Sequence, residues 1–145
     1  MEVKVKKLNE RAKLPTFGTD FSAGADLYCV ETEDVVVHPQ ATVFVRTGIS
    51  MEIPTGYVGL VFPRSGLACK RGLCLANCVG VIDSDYRGEI KVALNNEGNL
   101  SQTVSPEERV AQIIIMPYPK INFVEETELT ETSRGGGGFG STGKF

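Results

Sequence analysis

The sequence predicts an all-β domain, a sandwich or barrel with a single short helix. Three observations lead there. Short β-branched or alternating stretches recur at near-even spacing along the 145 residues. Turn-forming Gly, Pro, Asn and Asp separate them. Only residues 65–71 (SGLACKR) read as helix, about two turns at most. A chain of this length with 41% apolar residues suits one domain with one core.

Residues 3–8 alternate apolar and charged side chains, the period of a half-buried strand. Pro15, Gly18 and Gly24 punctuate the loop that follows. Residues 25–30 (ADLYCV) form a short strand with Asp26 at its start. Two β-branched runs, 35–38 and 42–46, flank Pro39. Residues 49–53 alternate again, Pro54-Thr55-Gly56 turns the chain, and 57–62 is a strand that Pro63 stops. Ser65 is the expected helix cap and Gly72 the expected terminator. Strands at 73–78 and 89–94 flank a central hairpin, and 95–99 (NNEGN) is a turn. Residues 102–104, 109–116 (RVAQIIIM) and 121–124 complete the strands.

The net charge of −3 gives no general attraction to nucleic acid or anionic lipid. No apolar run is long enough to span a membrane, and MEVKVKKLNE has no signal-peptide core, so a cytoplasmic protein is expected. Cys29, Cys69, Cys74 and Cys78 form no C-x-x-C pair and have one histidine, His38, for company. Zinc is therefore not expected, and the thiols read as free and at least partly buried. His38 reads as structural.

Chemistry concentrates in residues 77–91 (NCVGVIDSDYRGEIK). Apolar Val79, Val81 and Ile82 give way to Asp83, Ser84, Asp85 and Tyr86, between Gly80 and Gly88. That pattern reads as a hairpin with polar groups at its tip, or as a plain solvated turn. Residues 63–66 (PRSG) place Arg64 and Ser65 where a strand gives way to a helix start, an arrangement suited to anions. In 108–112 (ERVAQ), Arg109 and Gln112 open an apolar strand and need partners there. An ion pair would satisfy Arg109. Asp26, alone, reads as a turn carboxylate.

From about residue 125 the composition turns acidic and Thr-rich, then becomes RGGGGFGSTGKF. A tail so poor in apolar residues cannot order itself by burial, and composition alone favours an unstructured end. Yet an Arg, an aromatic and a Ser-Thr pair among six glycines suit an arm that closes over an anion and a flat ring. Gly138 to Lys144 matches G-x-x-x-x-G-K. Phe145 stands where Ser or Thr is needed, however, and no residues follow to form the helix.

Taken in order, these segments resemble the five motifs of the trimeric dUTP diphosphatase (dUTPase) family. AGADLY resembles the first, PRSG the second and NCVGVIDSDYRGEI the third. ERVAQ resembles the fourth and RGGGGFGSTG the fifth. The resemblance runs from Ala23 to Lys144. Its main departure is Pro106-Glu107-Glu108, where the family often has Gly-Asp or Gly-Glu before the Arg.

The resemblance implies a jelly-roll-like distorted β-barrel core over residues 1–124. A flexible C-terminal arm, 125–145, would carry the glycine-rich motif 134–144. It implies a homotrimer with active sites shared between subunits, and no nucleic-acid or membrane partner. The implied reaction is hydrolysis of dUTP to dUMP and diphosphate by water attack at the α-phosphorus. That reaction limits uracil in DNA and supplies dUMP for thymidylate synthesis. By resemblance Asp83 activates the water and Tyr86 stacks on the deoxyribose. Asn77, Gly80, Val81 and Ile82 read uracil, and Lys91 belongs to the substrate-binding set. Arg64, Ser65, Gly66 and Gln112 bind the phosphates. Arg134, Gly140, Ser141 and Thr142 hold the far end of the substrate while Phe139 stacks on the base. The implied cofactor is Mg²⁺ bridging the phosphates, with Asp26 acting on its waters and not as a direct ligand. Three alternatives remain: a dCTP deaminase of the same fold, a non-catalytic nucleotide-binding jelly-roll module, and a nucleotide sensor without turnover. The Asp83–Tyr86 pattern and the Gly-Phe-Gly-Ser-Thr tail favour the diphosphatase.

Overall fold

The computed structural model describes residues 1–139 and 141. Among these, twelve strands and one helix follow in order: β1 (Lys4–Lys7), β2 (Thr16–Phe17), β3 (Ala25–Tyr28), β4 (Val35–Val37), β5 (Thr42–Arg46), β6 (Ile49–Glu52), β7 (Tyr57–Phe62), α1 (Ser65–Arg71), β8 (Leu73–Leu75), β9 (Gly80–Ile82), β10 (Lys91–Asn96), β11 (Gln102–Val104) and β12 (Arg109–Pro117). All pairings are antiparallel. The largest sheet has the order β2-β3-β12-β7-β9, and a second has the order β5-β10-β8. Two-stranded ladders β1-β6 and β4-β11 complete the set. The alternating apolar positions meet in one core that includes Leu27, Val45, Ile49, Leu73, Ile90, Leu94 and Val110. The expected all-β fold is what the chain adopts, and among the described residues no helix is long and apolar enough to cross a membrane.

Several expectations need correction. Ser65 is the first helical residue and not the cap. Arg64 occupies the cap position with an extended backbone, and no side-chain hydrogen bond closes it. Gly72 does end α1, in the left-handed conformation at φ 66°. Residues 121–124 form no strand, and Ile121, Phe123 and Val124 are exposed. β8 stops at Leu75, because residues 75–78 make a turn closed by Cys78 N–H to the Leu75 carbonyl, 3.0 Å. Cys29 is buried, but Cys69 and Cys78 are exposed. His38 is exposed, with Nδ1 3.0 Å from Ser101 Oγ.

The expected central hairpin is not one. β9 pairs with β7 in the large sheet, whereas β10 pairs with β5 and β8 in the other. The Asp83–Tyr86 turn is therefore a crossover between sheets. β10 also starts and ends two residues later than expected, so Asn95 and Asn96 lie in the strand. The reason is Asn96, which is fully buried. Its Nδ2 donates to the carbonyls of Val37 (2.9 Å) and Leu100 (2.8 Å), and its Oδ1 accepts from Gly98 N–H (3.0 Å). One amide thus replaces ladder partners for three main-chain groups. Asn96→Ala should lower unfolding free energy by roughly 3 kcal/mol, since those groups lose their partners inside the core. Urea titration checks it, and a loss under about 1 kcal/mol would mean that water replaces the amide.

Glu107 resolves the departure before the fourth motif. Glu108 N–H bonds the Ser105 carbonyl at 3.1 Å, and Glu107 sits at φ 64° in the turn. Pro106 followed by a left-handed residue is the pattern of a type II turn, where glycine is the usual occupant. The chain keeps the backbone of a glycine turn with a glutamate in it, at a cost of about 1 kcal/mol. Glu107 also pairs with Lys13 at 2.8 Å, which holds its carboxyl below the usual range.

Candidate active site

Asp26, Gln112 and Phe62 stand in one row across β3, β12 and β7. A bulge makes this row useful. In a regular strand, residues 109 and 112 would face opposite sides. The register shifts between Arg109 and Ala111, so that Arg109 opposes Tyr28 and Gln112 opposes Asp26. Tyr28 and Asp26 share a face, so Arg109 and Gln112 now share it too.

The polar groups on that face are mutually satisfied. Asp26 is buried, with Oδ1 accepting from Arg64 Nε at 2.8 Å and Oδ2 from Arg109 Nη1 at 3.2 Å. This is the ion pair expected for Arg109, and it revises the reading of Asp26 as a lone turn carboxylate. Gln112 Nε2 donates to the Pro63 carbonyl at 3.0 Å. Asp26, Arg64, Ser65, Gly66, Arg109 and Gln112 all line one cleft of about 600 Å³. Two guanidinium groups around one carboxylate leave one positive charge in excess, facing that cleft. Gly24 also lines it, and a Cβ there would lie 2.4 Å from Gln112 Oε1.

Arg71 was missed by sequence reasoning. As the last residue of α1 it bonds Glu108 Oε1, the Thr103 carbonyl and Gln102 Oε1. It ties the helix that carries Ser65 and Gly66 to the turn before Arg109. A basic residue at a helix end is too common for its spacing to signal this.

Asp83, Tyr86 and Lys91 line a second cleft of about 380 Å³ with Phe44, Val81, Ile82 and Glu89. Asp83 and Tyr86 are exposed. Tyr86 N–H closes a turn on the Asp83 carbonyl at 3.1 Å, and the Tyr86 hydroxyl donates to the Glu89 carbonyl at 3.0 Å. The ring lies over Gly88, where a Cβ would come within 2.4 Å of the hydroxyl oxygen. Asn77 is exposed beside buried Gly80, whose added Cβ would lie 3.4 Å from Asn77 Nδ2. β9 is an outer strand of its sheet, so Val81 and its neighbours keep one backbone edge open to a ligand.

The two clefts are separate within one chain. Ile82 pairs with Gly59, so Asp83 emerges level with Val58, while Gln112 and Asp26 lie in the row of Phe62. Four residues of β7 separate those levels, about 13 Å at strand spacing.

In the tail, Arg134 Nε donates to the Gly137 carbonyl at 2.8 Å and Ser141 N–H to the Gly138 carbonyl at 3.1 Å. These bonds are local, and Phe139 is fully exposed. Arg134, Phe139 and Ser141 are thus not joined to either cleft in this single chain. Gly140 and Thr142 lie outside the described residues.

Comparison with known proteins bears on this geometry. The dUTPase family model matches residues 10–143. A deoxyuridine 5'-triphosphate nucleotidohydrolase of Nautilia profundicola is 47% identical, covering 99% of this chain and all of that relative. One of Hydrogenobaculum sp. is 48% identical over 99% of each chain. Among solved structures, Staphylococcus bacteriophage 80alpha dUTPase with dUpNHpp superposes with a TM-score of 0.89 at 28% identity, covering 98% of both chains. A dUTPase mutant from phage phi11 of S. aureus, which coordinates a structural Mg(II) ion, is 24% identical with a TM-score of 0.81 and shows likeness of fold alone. It covers 90% of this chain and all of that one. With all five motif segments inside the matched span, the chain belongs to the dUTPase family.

Proposed function

We propose that the chain hydrolyses dUTP to dUMP and diphosphate, as a homotrimer whose sites are completed between subunits. The observation that carries this reading is the pair of clefts. One gathers Arg64, Ser65, Gly66 and Gln112 beside a paired Asp26, the other gathers Asp83 and Tyr86, and the register holds them about 13 Å apart. Phosphate grip and water activation must act on neighbouring atoms of one substrate. Two chains docked so that their unlike clefts face each other meet that need, and a closed ring of such contacts is a cyclic oligomer.

Each residue then has a task. Asp83 orients the attacking water and takes its proton. Tyr86 packs against the deoxyribose and excludes a 2′-hydroxyl. The open edge of Gly80, Val81 and Ile82, with the amide of Asn77, pairs with the uracil edge, and mismatched amides reject cytosine. Lys91 adds a cation to that cleft. Arg64, Ser65, Gly66 and Gln112 bind the phosphate chain, and the single excess charge there suits a polyanion. From another subunit, Arg134, Gly140, Ser141 and Thr142 reach the outer phosphates and Phe139 covers the base. The deoxyuridine analogue bound by the phage 80alpha relative supports the substrate class.

The donor set suits Mg²⁺ only as an ion carried by the triphosphate. One carboxylate, Asp26, lies in the phosphate cleft, and both its oxygens already hold arginines. Its remaining lone pairs can accept from metal-bound water, which matches the habit of Mg²⁺ to keep several waters. The ion would neutralise phosphate charge.

Diphosphate release from dUTP, dTTP, dCTP and UTP, with and without Mg²⁺, tests the reading. Release from dUTP alone is the expected result, and ammonia from dCTP would replace it with a deaminase. Gly24→Ala should raise the KM for dUTP about tenfold, because the new methyl displaces Gln112 from the phosphate cleft. An unchanged KM would show that Gln112 does not touch substrate.

A further inference from the structure

The Asp83–Tyr86 turn is anchored from behind by a side chain that the motif reading leaves without a task. Glu89 is nearly buried, at 13% side-chain exposure. Its Oε1 accepts Gly48 N–H at 2.9 Å, and Arg46 Nε reaches both carboxylate oxygens, at 3.2 and 3.1 Å. Next to it, Ile90 N–H donates to the Ile49 carbonyl at 2.9 Å and the Thr47 hydroxyl donates to the Ile90 carbonyl. The exit of the turn is therefore bolted along the whole β5–β6 connection. That connection is closely packed: Gly48 sits at φ 68°, and a Cβ there would lie 3.0 Å from both Ala12 and Val30.

We propose that Glu89 is a positioning residue that sets where the Tyr86 ring lies, and through it the discrimination between deoxyribose and ribose. This rests on the dUTP reading above. The link is short. The carbonyl that receives the Tyr86 hydroxyl belongs to Glu89 itself, so the carboxylate and the ring are fastened to the same residue. Gly88, the only residue between Arg87 and Glu89, has no side chain to steady the loop on its own, and the ring covers it. Phe44, Asp83, Tyr86, Glu89 and Lys91 line the same cleft, so a shift of Glu89 is felt where the sugar would sit. A ring held to within a few tenths of an ångström excludes one extra oxygen, whereas a ring free to tilt admits it.

The test uses the full chain with Glu89→Ala, Glu89→Gln and Glu89→Asp, reading kcat/KM for dUTP and for UTP with thermal unfolding of each variant. Glu89→Ala should shrink the dUTP-over-UTP preference about tenfold. Glu89→Gln keeps an acceptor for Gly48 N–H and should hold the preference within about threefold of the parent. Glu89→Asp is one methylene too short for that bond and should resemble Glu89→Ala, giving the same readout if the alanine chain does not fold. An unchanged preference in both Ala and Asp variants, or equal losses on both nucleotides, would reduce Glu89 to a structural anchor and overturn the proposal. A parent chain that fails to hydrolyse dUTP would remove the underlying reading instead, before any variant is compared.

Discussion

Asp83→Asn is expected to lower turnover of dUTP about a thousandfold or more while leaving its KM within about threefold. The amide is the same size as the carboxylate and can still accept a hydrogen bond from water, so binding and orientation survive. It cannot take the proton, and that loss appears only in the transition state. Asp83 is exposed at the end of β9, so the fold has little stake in its charge. A control follows from the separation of the clefts. Chains carrying Asp83→Asn, mixed and refolded with chains carrying Arg64→Ala, should regain activity that neither has alone. In such a mixture some sites join an intact Asp83 from one chain to an intact Arg64 from another. Near-normal turnover of Asp83→Asn would remove the residue from its role. Failure of the mixture, with both variants inactive, would place the whole site within one chain.

Removing residues 134–145 should cut kcat/KM for dUTP about a hundredfold or more, with the melting temperature of the core unchanged. The described tail residues bond only to near neighbours: Gly135 N–H to the Thr132 carbonyl, and Gly137 N–H to that of Arg134, each at 3.0 Å. Nothing in the β-core depends on them. The glycines that allow the tail to wrap a ligand also make its ordering costly, so that cost is met when phosphates and base supply partners. Arg134 and Phe139 carry most of the expected loss, the first by charge-assisted bonds and the second by stacking. Kinetics unchanged on truncation would return the tail to a plain disordered end. A drop in melting temperature would show that it packs on the core.

The strands and the helix were legible because their signals are local. Alternation marks β1 and β6, the β-branched runs mark β4 and β5, and Gly72 ends α1 where its left-handed backbone requires it. The five polar segments were legible as residue types in order. Two kinds of feature were not. β2 is two residues long and exists only through its pairing with β3, so no pattern announces it. Residues 121–124 have strand composition but no partner strand among the described residues, and composition alone does not make a ladder.

The site divides in the same way. Residue types in motif order, through the family resemblance, singled out Arg64, Gln112, Asp26, Asp83 and Tyr86 as candidates for handling a nucleotide. Only the tertiary structure decided which of them meet. The bulge after Arg109 turns that side chain onto the face of Gln112, and cross-strand register sets both beside Asp26. The pairing of β9 with β7, and of β10 with β5, divides the third motif between two sheets, and the chain leaves its turn through Glu89, whose carboxylate accepts Gly48 N–H. Register and bulges arise from contacts between residues distant in sequence, so a local pattern carries the chemistry but not the geometry.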